Sequence, residues 1–327
     1  MANPSDVTST AMRAERQAFV VRHRGSMRTR RWTNMVIFLG PAVILTIMFY
    51  VLPVIVDIFL SFADTNRSLS RIDFPTLKQY RKVFGGDPRL SGVILTTFIY
   101  VFGTLAFFNV TFGLLLALTT TAVAKVSGTF FRGVWLLPRM SPSVVYILLW
   151  LWAVDPSRSG LLNQILMNVF QMSEPLDLKS SAPMMLIILV NGFIGASMGM
   201  IIFTSAIRSI PDHLFYAARV DGAGSLSIIR HITLPALKWP ISFITIYQTL
   251  SLMVSFEYIW LLTQGGPFFD TTVYALHVYK RSFFNGQYAY GAALALFMIV
   301  IGIAVALLGW RLFDMKALMQ EPRIEVQ

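Results

Sequence analysis

IPDHLFYAARVDGAGSLSIIRHITLP, residues 210–235, is a polar interruption between two long apolar runs, and it must face something other than lipid. Ser209 or Asp212 can cap a helix opening at Pro211, because a first-turn proline gives up an N–H that has no helical partner anyway. That helix runs through Leu214, Phe215, Ala217 and Ala218. Gly222, following Asp221, permits a positive φ and ends it. A second short helix over 225–232 is expected beyond the turn, stopped by Thr233-Leu234-Pro235. The product is a helix–turn–helix bracket at a membrane surface. Its small alanines leave a low ridge that a groove on another protein could accept closely. A solvated interfacial hairpin is the plainer alternative.

The apolar runs on either side set the class of the whole chain. Of 327 residues, 55% are hydrophobic and only 13% charged, and the mean hydropathy is +0.64, a composition suited to a polytopic membrane protein with short loops. The net charge of +11 does not point to nucleic acid, because Lys and Arg are dispersed at the ends of apolar runs instead of gathered into a basic domain. Cysteine is absent, which excludes disulfides and thiolate metal sites.

A membrane helix needs about 20 apolar residues, and six candidate spans satisfy this: 35–62, 92–123, 133–154, 183–207, 241–262 and 291–312. The expected fold class is therefore all-α integral membrane, with six transmembrane helices and a cytoplasmic helix-turn-helix loop. Residues 1–33 form a basic cytoplasmic arm bearing Arg13, Arg16, Arg22, Arg24, Arg28, Arg30 and Arg31; residues 34–313 are the membrane domain, and 314–327 a cytoplasmic tail. The first apolar run is longer than the core of a signal peptide and is expected to remain as an uncleaved span. Arg30-Arg31 reads as positive-inside charge in preference to a twin-arginine signal. An even number of spans puts both termini on one side, and the Lys and Arg bias puts that side inside. The outside loop 63–91 is the exception, since it carries Arg67, Arg71, Lys78, Arg81, Lys82 and Arg89.

Several spans carry features beyond hydropathy. Residues 78–84 could form a short surface helix before the second span, which itself contains Gly113-x-x-x-Ala117, a spacing that lets helices approach closely. The third span holds Leu136-Leu137-Pro138-Arg139-Met140-Ser141-Pro142. At that depth Arg139 must face water, a partner or a cavity, unless it snorkels to the interface. Asn191, Gly192, Gly195, Ser197 and Gly199 give the fourth span a small and polar face. In the fifth span Gln248, Ser251, Ser255 and Tyr258 follow a spacing that puts them on one helical face. Such a stripe should line a wet cavity or bond a neighbouring helix.

The pattern YAA-x-x-DGA-(x)11-P over 216–235, preceded by Ile210-Pro211, resembles the cytoplasmic "EAA" loop of ABC importer permeases. Tyr216 stands where the glutamate of that motif is usual, and Ile229 where an aromatic is common. A second stretch resembles the same family: Phe256-Glu257-Tyr258-Ile259-Trp260-Leu261-Leu262-Thr263-Gln264-Gly265-Gly266-Pro267, followed by Thr271 or Thr272, Tyr279 and Phe283. The proline pair of the third span and Gly160-Leu161-Leu162-Asn163 are similar to it too. The chain thus looks like the carbohydrate-uptake permeases of the maltose and glycerol-phosphate type. That resemblance implies a bacterial inner-membrane subunit importing a sugar or sugar derivative, or another polar solute such as a glycerol phosphodiester. It also implies a second permease subunit, an ABC ATPase dimer that holds ATP and Mg, an extracytoplasmic solute-binding protein and surrounding lipid as partners, with no cofactor in this chain. Under it, Leu214, Phe215, Tyr216, Ala217, Ala218, Asp221, Gly222 and Ala223, within a coupling loop 208–238, face the ATPase. Asn191, Gln248, Ser251, Ser255 and Tyr258 are candidates for the solute path, and Glu257, Gly265, Gly266 and Pro267 for the binding-protein or outer-gate side.

Other chemistries lack their residues. No G-x-x-x-x-G-K-[ST] occurs to cradle a nucleotide. His23, His213, His231 and His277 show no metal-binding spacing and read as surface or loop residues. An ion-coupled secondary transporter is the remaining alternative. It would usually need carboxylates deep in the membrane, whereas Asp57 and Glu257 lie toward span ends.

Overall fold

The computed structural model describes residues 35–67 and 69–312. The arm expected over 1–33 and the tail over 314–327 lie outside the described residues. The chain divides into two units, Met1–Phe59 and Leu60–Gln327. What is described of the first unit is apolar helix.

Among the described residues four helices are long and apolar enough to cross a membrane, and six if each of two bent pairs counts as one span. In order these are Met35–Ser61, Leu90–Ala122, the pair Lys125–Met140 and Ser143–Ala153, Pro183–Arg208, the pair Lys238–Val254 and Glu257–Thr263, and Tyr288–Leu312. They correspond in order to the six spans read from the sequence. The third differs most. Its first half begins at Lys125, not at Gly133, because residues expected to be a loop form an amphipathic helix. Val126, Phe130, Val134 and Leu137 are exposed along one face of it, while Arg132 is buried. The third span then bends by 99°, where Pro142 forces the preceding Ser141 out of the helical region, to ψ 148°. Pro138, by contrast, sits within the helix.

The core of the second unit lies where the second, fourth and fifth spans meet, around Tyr100, Ile187, Val190, Phe203 and Ile244. Small residues make the second and fourth spans touch backbone to backbone. A Cβ on Gly199 would stand 2.3 Å from the carbonyl oxygen of Asn109, and one on Gly195 2.2 Å from its Oδ1. Gly113 lies opposite Gly199, and Ala117 is fully buried. The spacing noticed in the sequence is thus a packing seam. On the second span it follows a π-helical segment, Thr104–Phe112, that carries Asn109.

The loop before the second span folds as a two-residue antiparallel ladder, Asp64–Thr65 against Ile72–Asp73, then a helical turn Lys78–Arg81 that continues to Gly86. The expected surface helix is therefore present, with Gln79 and Val83 buried.

Candidate functional site

The bracket begins with helix Asp212–Val220. Its N-cap is Pro211, and no side chain caps it, so neither Ser209 nor Asp212 plays the expected role. Ser209 instead donates its hydroxyl to the carbonyl of Ala206 at 2.8 Å, ending the preceding helix. The C-terminus follows the sequence reading. Gly222 takes φ +78°, its N–H donates to Arg219 O at 3.1 Å, and the N–H of Ala223 donates to Ala218 O at 2.9 Å. These two bonds satisfy carbonyls that a helix end leaves open. The second arm also departs from expectation. Ser225–Ile228 runs into a π segment Ile229–Thr233 and on into Leu234–Ala236, so Pro235 does not stop the helix. It lies within this continuous run, just past the end of the π segment.

No residue of Asp212–Val220 is buried. Leu214, Tyr216, Val220 and, across the turn, Leu226 are exposed apolar side chains, Val220 at 86% and Leu226 at 79%. Phe215 and Tyr216 line a cavity of about 570 Å³ together with Leu118 and Thr121 of the second span and Arg208 of the fourth. Asp221 is the C-cap residue, and Ala217 and Ala218 supply the carbonyls that the turn consumes.

A second constellation forms where the broken spans face each other. The fifth span stops at Val254; Ser255 is extended and Phe256 irregular before the helix restarts at Glu257 with a bend of 50°. Gln248, Ser251, Ser255 and Tyr258 therefore do not share one helical face. No proline or glycine marks this break. Tertiary contacts hold it: Ser255 lies close to the hydroxyl of Tyr100, the Phe256 ring stacks 4.9 Å from Tyr279, and Glu257 Oε1 accepts from Ser143 Oγ at 2.5 Å. Ser143 is the first helical residue after the break of the third span, so this bond joins the two breaks.

Around that junction Asn191 donates its side-chain amide to Tyr100, and Tyr146 donates to the carbonyl of Val190 at 2.8 Å. Arg139 is exposed, with Nη1 3.5 Å from Ser197 Oγ. Tyr258 packs edge-on against Tyr146. Trp135, Phe193 and Trp150 form a continuous aromatic contact nearby, at 4.4 and 6.0 Å. Of the candidate path residues, Asn191 and Ser255 thus meet at Tyr100. Gln248 is buried and donates to Gly195 O at 3.4 Å, a bond between the fifth and fourth spans, and Ser251 is exposed. Tyr100, Ser143 and the three aromatics were not singled out in the sequence, where a tyrosine, a serine or an indole in an apolar run looks like any packed side chain.

The group assigned to the outer side is divided. Glu257 belongs to the junction just described, whereas Gly265, Gly266 and Pro267 lie beyond the other end of its seven-residue helix. There Thr272 donates to Gly265 O at 2.9 Å, Thr271 to Gly266 O at 2.7 Å, and Lys280 to Gln264 O at 2.7 Å. Both threonines are fully buried, which explains the pairing of LT-x-GGP with a following Thr-Thr. Phe268, just past the turn, is 94% exposed.

His277 corrects the reading of the histidines as surface or loop residues. It is 4% exposed and joins a cluster on Asp87, whose Oδ2 accepts from Arg281 Nη2 at 2.8 Å and Tyr290 OH at 2.9 Å and lies 3.3 Å from His277 Nε2. Burial alone would raise the Asp87 carboxyl, but the Arg89 amide, the Tyr290 hydroxyl and the charge of Arg281 outweigh it and hold the group below the usual carboxylate range. Burial, reinforced by Arg281, pushes His277 below its ordinary value despite Asp87. The cluster ties the start of the second span to the segment leading into the sixth.

These features coincide with a known family. Residues 109–313 match the binding-protein-dependent transport system inner membrane component. The chain belongs to that family. A Pyrococcus horikoshii protein named "probable ABC transporter permease protein" is 32% identical over 83% of this chain and 92% of its own. The diacetylchitobiose uptake system permease protein NgcF of Streptomyces coelicolor is 26% identical over 93% of this chain and 90% of its own. In fold this permease resembles a chain of a bacterial ABC transporter involved in the import of the acidic polysaccharide alginate, with a TM-score of 0.76 at 22% identity over 90% of this chain and 98% of that one.

Proposed function

We propose that this permease is the membrane-spanning subunit through which a sugar or sugar derivative passes in an ATP-driven importer. The observation that carries the proposal is the junction of two broken spans, where Arg139, Ser143 and Glu257 converge with Tyr258 and neighbouring aromatics. Irregular backbone in a membrane persists only where it is buried in protein or lines a wet cavity, and interrupted helices commonly mark a transport path. A polyhydroxylated solute needs groups that donate and accept, with aromatic faces to cover its C–H surfaces. The names of relatives support the solute class: besides the diacetylchitobiose system, a galactooligosaccharide permease of Bacillus subtilis and a multiple sugar-binding system permease of Streptococcus mutans match the chain.

In this reading a solute-binding protein delivers the sugar on the side of Gly265, Gly266 and Pro267. A second permease completes the path, and two ATPase subunits, which hold ATP and Mg, receive the bracket. Leu214, Phe215, Tyr216, Ala217, Ala218, Asp221, Gly222 and Ala223 form the contact; with Tyr216 in place of the usual glutamate, the contact does without that carboxylate. Both termini, including the arm 1–33 and the tail 314–327, are cytoplasmic, as the distribution of Lys and Arg favours.

The test is uptake by proteoliposomes holding the complete complex, using the saccharide that co-purifies with the cognate binding protein. Uptake should require ATP and binding protein, and Tyr258→Ala should lower it about tenfold per assembled complex. Uptake driven by an ion gradient without ATP would overturn the assignment.

A further inference from the structure

Between the first half of the third span and the end of the fourth lies a cavity of about 560 Å³ whose lining includes Arg132, Arg208, Thr129, Ser205 and Ser209 and no carboxylate. Arg132 is only 9% exposed. Its Nη1 donates to Thr120 O at 3.0 Å and its Nη2 to Thr129 Oγ1 at 3.0 Å. Both acceptors are neutral, and a guanidinium has five N–H groups to satisfy. Among the described residues neither Arg132 nor Arg208 is ion-paired with a carboxylate. Arg208 adds a like charge that acts on Arg132. Two like charges that face one cavity without a carboxylate make a positive potential there that favours an anion.

We propose that this cavity is an oxyanion site that takes a phosphate group, held between the two guanidinium groups with the Ser205 and Ser209 hydroxyls at its rim. Paired guanidinium forks match phosphate geometry and bond it bidentately. The neighbouring face favours the headgroup of an anionic phospholipid as the source. Val126, Phe130, Val134 and Leu137 are all exposed along the helix that carries Arg132, and such a face lies against acyl chains while a basic pocket beside it holds the headgroup. A free phosphorylated solute would present the same chemistry. The site adjoins the bracket, since Ser209 directly precedes Ile210, and it stands whichever solute is transported.

The experiment uses the full chain purified in an uncharged detergent. Native mass spectrometry compares retention of phosphatidylglycerol with that of phosphatidylcholine, and melting is followed in sodium phosphate against sodium chloride at equal ionic strength. If the source is lipid, phosphatidylglycerol is retained over phosphatidylcholine, Arg208→Gln reduces that retention about tenfold, and phosphate alone leaves Tm unchanged. If the source is a free phosphate, inorganic phosphate raises Tm in the wild type and not in Arg208→Gln, with no preference between the lipids. Arg208 is exposed, so its substitution should leave the chain folded with an unliganded Tm no lower than that of the wild type; Arg132→Lys, which keeps the charge but not the fork, should weaken either signal. Absence of Arg208-dependent binding by both probes overturns the proposal and leaves a carboxylate of another chain as the counter-ion.

Discussion

Replacing Gly222 isolates the bracket from the rest of the permease. A Cβ there would meet nothing within 4 Å, so the cost of a substitution is backbone conformation alone. At φ +78° alanine is disfavoured by about 1–2 kcal/mol, which reduces the population of the turn about 5- to 30-fold. Asparagine tolerates this region better and should lose less. Proline cannot reach it, because its ring holds φ near −65°. It also lacks the N–H that donates to Arg219 O, and it misplaces the N–H of Ala223 that donates to Ala218 O. Two bonds at about 1 kcal/mol each and strain of about 1–3 kcal/mol give roughly 3–5 kcal/mol against the native turn. Since no residue of Asp212–Val220 is buried, insertion and packing of the spans should be unaffected. The measurement is uptake and stimulated ATP hydrolysis per assembled complex in the series glycine, asparagine, alanine, proline. Activity should fall in that order, with proline abolishing both. Full activity in Gly222→Pro, at equal assembly, would refute the claim that this turn seats the bracket.

Topology gives a second prediction: a reporter enzyme active only outside the cytoplasm should work when fused after Gly265 and stay silent after Gly224, and the reverse would invert the orientation. The Asp87 cluster gives a third, on pH. Because folding lowers the His277 pKa below 6.5, the unfolded chain binds the proton first, and stability is lost as pH falls below about 6.5. Asp87, also lowered, contributes stability that is complete above 3.8 and lost as pH falls further. The Tm of the purified permease should therefore drop between pH 7 and 5, and His277→Gln should remove that step; an identical profile in the variant would reject it. Gln248→Ala supplies a fourth: loss of the bond to Gly195 O should cost about 1 kcal/mol and reduce the amount of assembled complex, with uptake per complex preserved. A fall in uptake per complex instead would return Gln248 to the solute path.

The corrections share a cause. Pro142 announced the break in the third span, because the residue before a proline is driven from the helical region whatever surrounds it. Nothing local announced the break at Ser255, where a good helical pattern is interrupted by contacts of Phe256 with Tyr279 and of Glu257 with Ser143, distant in sequence. The same holds for His277. Its spacing from Arg281 was visible, but its burial depends on Asp87, Tyr290 and the packing of two spans.

What the sequence determined by itself was whatever rests on composition and short-range geometry: the order of six apolar runs, the glycine turn of the bracket, and the small residues of the second and fourth spans, which the structure then paired. Hydropathy needs only neighbours within a span, and a positive φ or a missing Cβ acts at a single residue. Tertiary structure alone decided which polar groups meet inside the membrane, where Asn191 and Ser255 converge on Tyr100 and Ser143 reaches Glu257. It also buried Arg132 beside Arg208. With no water in the hydrocarbon, each such group takes whatever partner the packing brings within reach, and that choice is made by elements far apart in the chain.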